Sequence, residues 1–354
     1  MKTLSKLTAL AMAAAMALSL TACTVGGDTG GPTQTSPSPS QSGGTQGNSP
    51  APSASQPAED ASYLVGICQL APHNALDAAT QGFKDALTAE FGDAVKFSEG
   101  NAGGDSNNCI TIIDGFLAED VDLILANATA SLTTAASATD SVPILGTAIT
   151  NYGVALNLDS TKDGVLGGNI SGTSDLAPLD QQAEMLQELF PAADYPSVGL
   201  LYCSAEPNSI FQVDTIQGYL EEMGYTCEQY AFTDVNDLAS VTQTACDNSD
   251  VIYIPTDNTA ANNTETIANV VIPAGVPVVA GESGICSGCG VATLSIDYYE
   301  LGEITGQMAA RILRGEESVS EMAIEYDTTL TKLYNAANCE ALGITIPEDY
   351  EPIA

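Results

Sequence analysis

Apolar runs alternate with amphipathic helical patterns along most of this 354-residue chain. Six runs are bounded by turn-forming residues and have the continuous apolar character of strands buried on both faces of a parallel sheet. They occupy residues 64–67, 121–126, 142–145, 198–202, 251–254 and 276–280. Between them lie helical patterns, such as Leu76, Ala79, Phe83 and Leu87 behind Asn74, which we predict to be a helix N-cap. The alternation predicts βαβ units and an α/β doubly wound parallel sheet.

The pattern occurs twice. Segments at residues 64–68, 122–125 and 142–146 recur in the same order at residues 198–202, 250–253 and 276–281, with separations of 128 to 134 residues. Each match alone is weak, but three at nearly constant separation predict two similar α/β lobes. Because open α/β sheets bind ligands at the carboxyl ends of their strands, two such edges predict a binding cleft between the lobes.

The N-terminal segment has the features of an export signal. Lys2 and Lys6 precede an apolar run at residues 7–18, which is too short to span a bilayer as a stable helix. Residues 20–23, Leu-Thr-Ala-Cys, resemble the lipobox of bacterial lipoproteins. The resemblance implies a signal peptide at residues 1–22, lipidation of Cys23 and a location on the outer face of the cytoplasmic membrane. The alternative is an ordinary signal peptide with an incidental cysteine.

A low-complexity segment follows. Residues 24–61 are rich in Gly, Ser, Thr, Pro and Gln and contain no aromatic residue, Lys or Arg. Such a segment buries too little apolar surface to fold, so we interpret residues 23–61 as the lipidated cysteine and a disordered tether.

Charge restricts the partners. The chain has 45 acidic and 8 basic residues, a formal charge of −37, so nucleic acid and anionic lipid surfaces are repelled. The hydrophobic fraction of 44% is nevertheless sufficient for a core.

The sequence lacks the common catalytic and nucleotide-binding motifs. There is one histidine, His73, and no Gly-x-Ser-x-Gly, Walker A, Gly-x-Gly-x-x-Gly or His-Glu-x-x-His motif. We therefore expect a protein that is not an enzyme and uses no cofactor or metal.

Several motifs point to one family. They lie at residues 75–77 with 82–83, 169–175, 255–259, 280–282 and 295–299. With them the chain resembles the substrate-binding lipoproteins of ABC importers with the type I periplasmic-binding fold, and within these the tryptophan- and tyrosine-type group. The sequence departs from the family pattern at residues 72–74, Pro-His-Asn, and at Pro207.

The resemblance also implies the organisation of the chain. Lobe 1 would comprise residues 63–170 plus 297–323, and lobe 2 residues 174–295 plus 324–354. Three strands near residues 170–173, 293–296 and 323–326 would form the hinge about which the lobes close. The protein would be a monomer that delivers a small molecule, an amino acid, to an ABC permease in the membrane.

Elementary chemistry suggests how such a cleft binds an amino acid. No Lys or Arg that remains after signal removal falls in a strand-end motif, so backbone N–H groups at a helix N-terminus are expected to bind the carboxylate. Thr129, Ala130 and Ser131 are our candidates for this role. Carboxylates are needed for the ammonium, and five lie near predicted strand ends: Asp175, Glu206, Asp257, Glu282 and Asp297. Among them we expect Asp257 to be the main partner of the ammonium, helped by Asp175 or Asp297. Further polar candidates in the same loops are Gln69, His73, Thr147, Asn208, Ser209 and Asn258.

Each candidate has a structural alternative. Thr129, Ser131 and Asp257 are equally typical of helix caps or turns, and His73 of a capping residue. Asp297 could fix the hinge, and Glu206 and Glu282 could be solvated loop charges. Aromatic walls for the ligand could come from Tyr152, Tyr202 or Phe211, which are otherwise core residues.

Eight cysteines remain besides Cys23. An even number in an exported protein permits disulfides, with Cys68–Cys109, Cys227–Cys246 and Cys286–Cys289 as plausible pairs, or all eight thiols stay reduced.

Two binding functions remain open: transport, or sensing with a membrane receptor as partner. The ligand itself could be an aromatic amino acid, a branched-chain amino acid or another small zwitterion.

Overall fold

The protein is described by a computed structural model that covers residues 62–158 and 163–353. The predicted signal peptide, Cys23 and the predicted tether lie outside the described residues, as does Lys162. The described residues form two α/β lobes, each built on its own sheet, so the predicted fold class is confirmed. No helix within these residues has both the length and the apolar character needed to cross a membrane.

The first lobe contains a six-stranded sheet in which every pair of neighbours is parallel. Its first elements are β1 (Tyr63–Gln69), α1 (Asn74–Phe91), β2 (Val95–Asn101), α2 (Ser106–Ala118), β3 (Leu123–Asn127), α3 (Thr129–Ala138), β4 (Ile144–Ile149), α4 (Tyr152–Leu156) and β5 (Ile170–Ser174). Two later elements, α11 (Tyr298–Leu313) and β11 (Glu325–Tyr326), complete it. The strand order is β11-β5-β4-β3-β1-β2, which is a doubly wound arrangement.

The second lobe repeats this arrangement with one antiparallel addition. Its elements are α5 (Leu179–Leu189), β6 (Ser197–Cys203), α6 (Pro207–Glu222), β7 (Thr226–Phe232), α7 (Val235–Asn248), β8 (Val251–Ile254), α8 (Asn258–Ala261), α9 (Thr264–Ala274), β9 (Val278–Ala280), α10 (Ser283–Gly288), β10 (Ala292–Ser295), β12 (Thr331–Tyr334), α12 (Ala336–Leu342) and β13 (Glu351–Pro352). The strand order is β13-β12-β10-β9-β8-β6-β7, and only β10 and β12 are antiparallel.

The chain passes between the lobes three times, after β5, after β10 and after β11. The strand segments that we predicted as the hinge belong to the sheets themselves, and the connections follow directly after them. We expected the chain to return to lobe 2 at residue 324, and the structure corrects this boundary. Glu325 and Tyr326 pair with Thr173 and Ser174 of β5, so the lobe-1 sheet extends to Tyr326.

Helix α1 is held against α11 by close backbone contact. A Cβ atom at Gly82 would overlap the carbonyl oxygen of Tyr299, and one at Gly302 would overlap that of Ala79. Glycine at these positions allows the two helix backbones to touch. This contact fixes the N-terminus of α1 beside the start of α11, and both ends lie at the cleft between the lobes.

Candidate functional site

A small cavity lies between the lobes, at the carboxyl ends of strands from both sheets. Its free volume is about 10 Å³, which is room for roughly one water molecule. The cavity is lined by His73, Ala75, Leu76, Ala148, Thr150, Asp175, Asn208, Thr256, Asp257, Asn258, Ala261, Glu282 and Tyr298. Three of these are buried acids, and no Lys or Arg of the described chain is among them.

Asp257 stabilises the start of α8 and the end of β6. Its Oδ1 accepts a hydrogen bond from the Ala260 N–H at 2.8 Å, and its Oδ2 accepts one from the Cys203 N–H at 2.7 Å. Burial, and then the nearby charge of Glu206, raise the pKa of Asp257 above its ordinary value. Because both carboxylate oxygens already have partners, Asp257 is a capping residue that also faces the cavity.

Glu282 caps the N-terminus of α10 in the way that Asp257 caps α8. Its two oxygens accept hydrogen bonds from the N–H groups of Gly284 and Ile285, both at 2.5 Å. Burial raises the pKa of Glu282 to about 7, although these two N–H groups lower it. The predicted alternative of a solvated loop charge is therefore wrong for this residue, which is 1% exposed.

Asp175 differs from the other two acids. It follows β5 and is 3% exposed, and its Oδ2 accepts a hydrogen bond from the Tyr298 hydroxyl at 3.0 Å. Its Oδ1 is buried and has no hydrogen-bond partner in the described structure. Burial raises the pKa of Asp175 to about 6, although the nearby hydroxyls of Tyr298 and Thr150 lower it. A buried acceptor of this kind is costly unless a donor pairs with it, so Asp175 is the acid best suited to a cationic ligand group.

The N-terminus of α1 supplies the complementary partial positive charge. This 18-residue helix begins one residue earlier than predicted, with His73 as N-cap and Asn74 inside the helix. The His73 side chain makes no capping hydrogen bond. Ala75 and Leu76, in the first turn, line the cavity. The first-turn N–H groups and the helix dipole therefore favour an anion at this end of the cavity.

His73 also connects the two lobes. Its Nε2 lies 3.3 Å from Oδ1 of Asn258 in lobe 2. An amide oxygen only accepts, so Nε2 carries the proton and Nδ1 is left as an acceptor; Nδ1 is buried and without a partner in the described structure. Asn258 is in turn fixed by Glu206, which accepts from its backbone N–H at 3.0 Å and from its Nδ2 at 2.7 Å. Burial lowers the pKa of His73, which is consistent with the neutral imidazole.

Other predicted site residues lie away from this cavity. Gln69 connects β1 to α1, because its amide nitrogen donates to Asp77 and to the Ala71 carbonyl. Thr147 lies within the lobe-1 core, where the hydroxyls of Thr173 and Thr305 donate to it. Asp297 is exposed and caps the start of α11. Ser209 is buried in the first turn of α6 beside Asn208, and Glu206 faces the neighbouring interlobe groove.

The residues of α3 that we predicted as the carboxylate site also lie away from the cavity, so this role stays a prediction. Thr129 and Ser131 are buried within lobe 1, and Ala130 faces the neighbouring groove instead of the cavity. Ser131 is occupied by sulfur contacts, because its hydroxyl lies 3.6 Å from the thiols of both Cys68 and Cys109. All eight cysteines of the described residues are free thiols.

None of the three predicted aromatic walls lines the cavity. The Tyr152 hydroxyl donates to the Thr173 carbonyl inside lobe 1, and the Tyr202 hydroxyl donates to Gln229 in lobe 2. Phe211 is half-buried on α6. Among the described residues, Tyr298 is the one Tyr, Phe or Trp that lines the cavity, and its hydroxyl donates to Asp175.

Sequence reasoning missed several cavity residues on lobe 1. Ala148 has a left-handed backbone, with φ of 53°, where β4 shifts its register against β5. This bulge places Ala148 and Thr150 against the cavity. An alanine with positive φ leaves no signal in a sequence. Ala75 and Leu76 could have been identified, because the predicted N-cap at Asn74 already placed them in the first turn of α1.

Comparisons with known proteins agree on one family. Residues 64–352 match the family described as ABC transporter substrate binding protein. A tyrosine-binding protein from Clostridioides difficile is 32% identical over 266 residues, which are 73% of this chain and 75% of that protein.

Two solved structures resemble this one to different degrees. An ABC domain in complex with L-Trp from Streptococcus pneumoniae is 30% identical, with a TM-score of 0.78 over 83% of this chain and all of that one. The ligand-free, open structure of a substrate-binding protein with adhesive properties from Clostridium difficile is 33% identical. Its TM-score is only 0.63, over 82% of this chain and 99% of that one. This structure therefore superposes better on the complex than on the open structure.

Proposed function

The chain belongs to the family of ABC transporter substrate-binding proteins, and from this premise we propose that it binds an aromatic amino acid between its lobes and delivers it to an ABC permease for import. Substrate-binding proteins of this family are extracytoplasmic. The fold and family are those of binding proteins and not of enzymes.

One observation carries the amino-acid assignment. The cavity contains a buried carboxylate oxygen, Oδ1 of Asp175, that lacks a partner in the described structure, and a helix N-terminus that no side chain caps. An ammonium placed against Asp175 and a carboxylate placed against the N–H groups of Ala75 and Leu76 would pair both. The neutral Nδ1 of His73 is a second acceptor for the ammonium. A zwitterion satisfies both ends, whereas a sugar offers no charge to either.

The similarity to a tyrosine-binding protein and to an L-Trp complex supports an aromatic side chain on the ligand. Both relatives are at least 30% identical to this chain. The free volume of the cavity, about 10 Å³, is too small for a whole amino acid. Binding therefore requires an opening of the lobes and closure around the ligand, as expected for two lobes joined by three connections.

The test is isothermal titration calorimetry with the twenty amino acids, followed by the Asp175→Asn variant. A charge-assisted hydrogen bond contributes about 1.5–3 kcal/mol, so this variant should bind the preferred amino acid about 10- to 150-fold more weakly. Asp180→Asn makes the same change at an exposed residue of α5 and should bind like wild type. Binding only of sugars or nucleosides, or full affinity in Asp175→Asn, would refute the proposal.

We also propose that lipidation of Cys23 anchors the protein to the outer face of the cytoplasmic membrane. The lipobox at residues 20–23 and the apolar run before it support this. Cys23→Ser should move the protein from the membrane fraction to the soluble exported fraction without altering ligand affinity. A variant that still fractionates with membranes would contradict the anchor.

A further inference from the structure

Two buried cysteines of lobe 1 lie side by side. We propose that Cys68 and Cys109 form a disulfide bond that links β1 to α2 once the protein is outside the cytoplasm. Cys68 is the last residue but one of β1, and Cys109 lies in the first turn of α2. Both are free thiols in this structure, and both are fully buried. The bond would form whichever amino acid the cleft binds.

The two sulfur atoms converge on one oxygen atom. The Sγ atoms of Cys68 and Cys109 each lie 3.6 Å from the Oγ of Ser131 on α3. The thiols also interact with each other, because a hydrogen bond from Cys68 lowers the pKa of Cys109, although burial opposes this. The sulfurs therefore share one small space in the core, and rotation of the two side chains would bring them together.

The backbones of β1 and α2 approach closely beside this contact. Gly66 lies two residues before Cys68 and so on the same face of β1. A Cβ atom at Gly66 would lie 2.6 Å from the ring of Phe116, which is on α2. The helix therefore packs directly onto the strand. A disulfide needs such an approach, because its two Cα atoms are about 4.4–6.8 Å apart.

The other predicted cysteine pairs are arranged differently. Cys227 and Cys246 pack into hydrophobic clusters on opposite faces of the lobe-2 sheet. Cys286 and Cys289 are one helical turn apart, and the Cys289 thiol donates to a backbone carbonyl oxygen. A bond between these two would close a loop of only four residues. The proposed bond closes a loop of about 40 residues and so restricts the unfolded chain far more.

The location of the protein supplies the conditions for oxidation. ABC substrate-binding proteins are extracytoplasmic, and disulfides persist in oxidising environments outside the cytoplasm. The electron acceptor would be another disulfide, that of a thiol oxidoreductase or of a small molecule such as oxidised glutathione.

The exchange has two steps. The Cys109 thiolate attacks one sulfur of the donor disulfide and displaces the first donor thiolate. Cys68 then loses its proton, attacks the Cys109 sulfur and displaces the second donor thiolate. Two protein thiols and one donor disulfide thus become one protein disulfide and two donor thiols, which take up the two protons.

Burial determines when this exchange occurs. Neither Cys68 nor Cys109 has an exposed atom in the folded protein, so an oxidant reaches them only while α2 is not packed on β1. Oxidation should therefore accompany folding after export, and the folded, reduced protein should react slowly.

Tryptic digestion provides the test, because it separates the two cysteines. Cleavage after Lys84 and Lys96 leaves them on different peptides, the second of which spans residues 97–162. In Cys23→Ser each of these peptides contains a single cysteine, and the other six lie in later peptides. This variant would be unfolded and reduced, refolded with reduced and oxidised glutathione, blocked with N-ethylmaleimide and digested for mass spectrometry.

We expect the two peptides to be linked and the other six cysteines to be blocked. Circular dichroism would first show that the protein has refolded. Blocking of all eight cysteines in the refolded protein, or linkage of either peptide to a different cysteine, would overturn the inference and leave the proposed function intact.

Thermal unfolding measures what the bond contributes. The oxidised protein should melt about 5–15 °C higher than the same protein kept in a reductant. Cys109→Ser, made in the Cys23→Ser protein, should abolish this difference. Cys246→Ser is the matched control, at a buried cysteine of α7, and should retain it. Equal differences in the two variants would show that another pair is responsible and would overturn the inference.

Discussion

Two buried aspartates at the cavity differ in how many of their oxygens already accept hydrogen bonds. Asp257 has a backbone donor for each oxygen, from Cys203 and Ala260, so it stabilises the fold. Asp175 has the Tyr298 hydroxyl on one oxygen and no partner in the described structure on the other. The distinction matters because our sequence analysis favoured Asp257 as the ammonium partner, whereas the hydrogen bonds favour Asp175.

This difference predicts opposite effects on stability. Asp257→Asn replaces one accepting oxygen by a donating nitrogen and leaves a buried N–H unpaired, so the free energy of unfolding should fall by about 1–3 kcal/mol. Asp175→Asn removes a buried charge that lacks a counterion, so at pH 7.5 stability should be unchanged or higher. Urea unfolding of both variants, without ligand, measures this. A larger loss in Asp175→Asn than in Asp257→Asn would contradict the roles assigned here.

The sequence could identify the acids at strand ends but not their free oxygens. Asp257 and Glu282 lie at positions that suit both a cap and a ligand contact, and the choice depends on distant N–H groups. Cys203, for example, is 54 residues from Asp257. Such partners are set by how the sheets pack, which a single sequence does not encode locally.

At the scale of elements, the strands that were predicted share one property. Central strands such as β3 and β8 are buried along their whole length, and their continuous apolar runs are therefore visible in the sequence. Neither of the edge strands β2 and β7 is among the six predicted apolar runs. Both have polar residues on exposed faces, as in Val-Lys-Phe-Ser-Glu-Gly-Asn of β2, and so lack such a run.

The contact between α1 and α11 yields the second prediction. A methyl group at Gly302 would overlap the Ala79 carbonyl oxygen, so Gly302→Ala must push the two helices apart. We expect a loss of about 1–3 kcal/mol in unfolding free energy and weaker ligand binding, because the start of α1 moves. Thermal and urea unfolding would measure the first effect, and calorimetry the second.

Gly218 offers a matched control for this substitution. It is exposed in the interior of α6, and a Cβ there would meet no other atom within 4 Å. Gly218→Ala should therefore raise stability by about 0.5–1 kcal/mol, through helix propensity alone, and leave binding unchanged. Similar effects of the two substitutions would show that the close approach of α1 and α11 is not needed.

At the scale of the whole molecule, the recurrence of strand segments in the sequence was sufficient to predict two lobes. The separation of 128 to 134 residues reflects two sheets built in the same order, β1-β3-β4 and β6-β8-β9. The limits of the lobes were less accessible, because β11 is only two residues long and pairs with β5 across a long sequence separation.

The buried acids also give the molecule a pH dependence opposite to ordinary acid denaturation. The pKa of Asp175 is raised from 3.8 to about 6, and that of Glu282 from 4.5 to about 7. Between pH 4 and pH 7 the folded protein therefore retains protons that the unfolded chain has lost. Stability falls with rising pH wherever the folded state binds more protons, so the unfolding free energy should decrease across this window.

The third prediction follows from this decrease of stability with rising pH. Without ligand, the protein should be more stable at pH 5 than at pH 7.5 by an amount on the order of 2 kcal/mol, and Asp175→Asn should reduce the difference. The lowered pKa of His73 opposes this trend, because at pH 5 the unfolded chain protonates an imidazole that stays neutral in the folded protein, but the raised pKa values of Asp175, Asp257 and Glu282 outweigh it. Repulsion within a chain of charge −37 acts in the same direction, but 0.5 M NaCl screens surface charges and leaves buried groups largely unaffected. Ligand affinity should show the reverse trend, rising from pH 5 to pH 7.5, because only ionised Asp175 pairs with an ammonium. In high salt, urea unfolding measures how stability changes with pH, and calorimetry measures how ligand affinity changes with pH. If stability and affinity both fell as the pH rises, Asp175 would not contact the ligand.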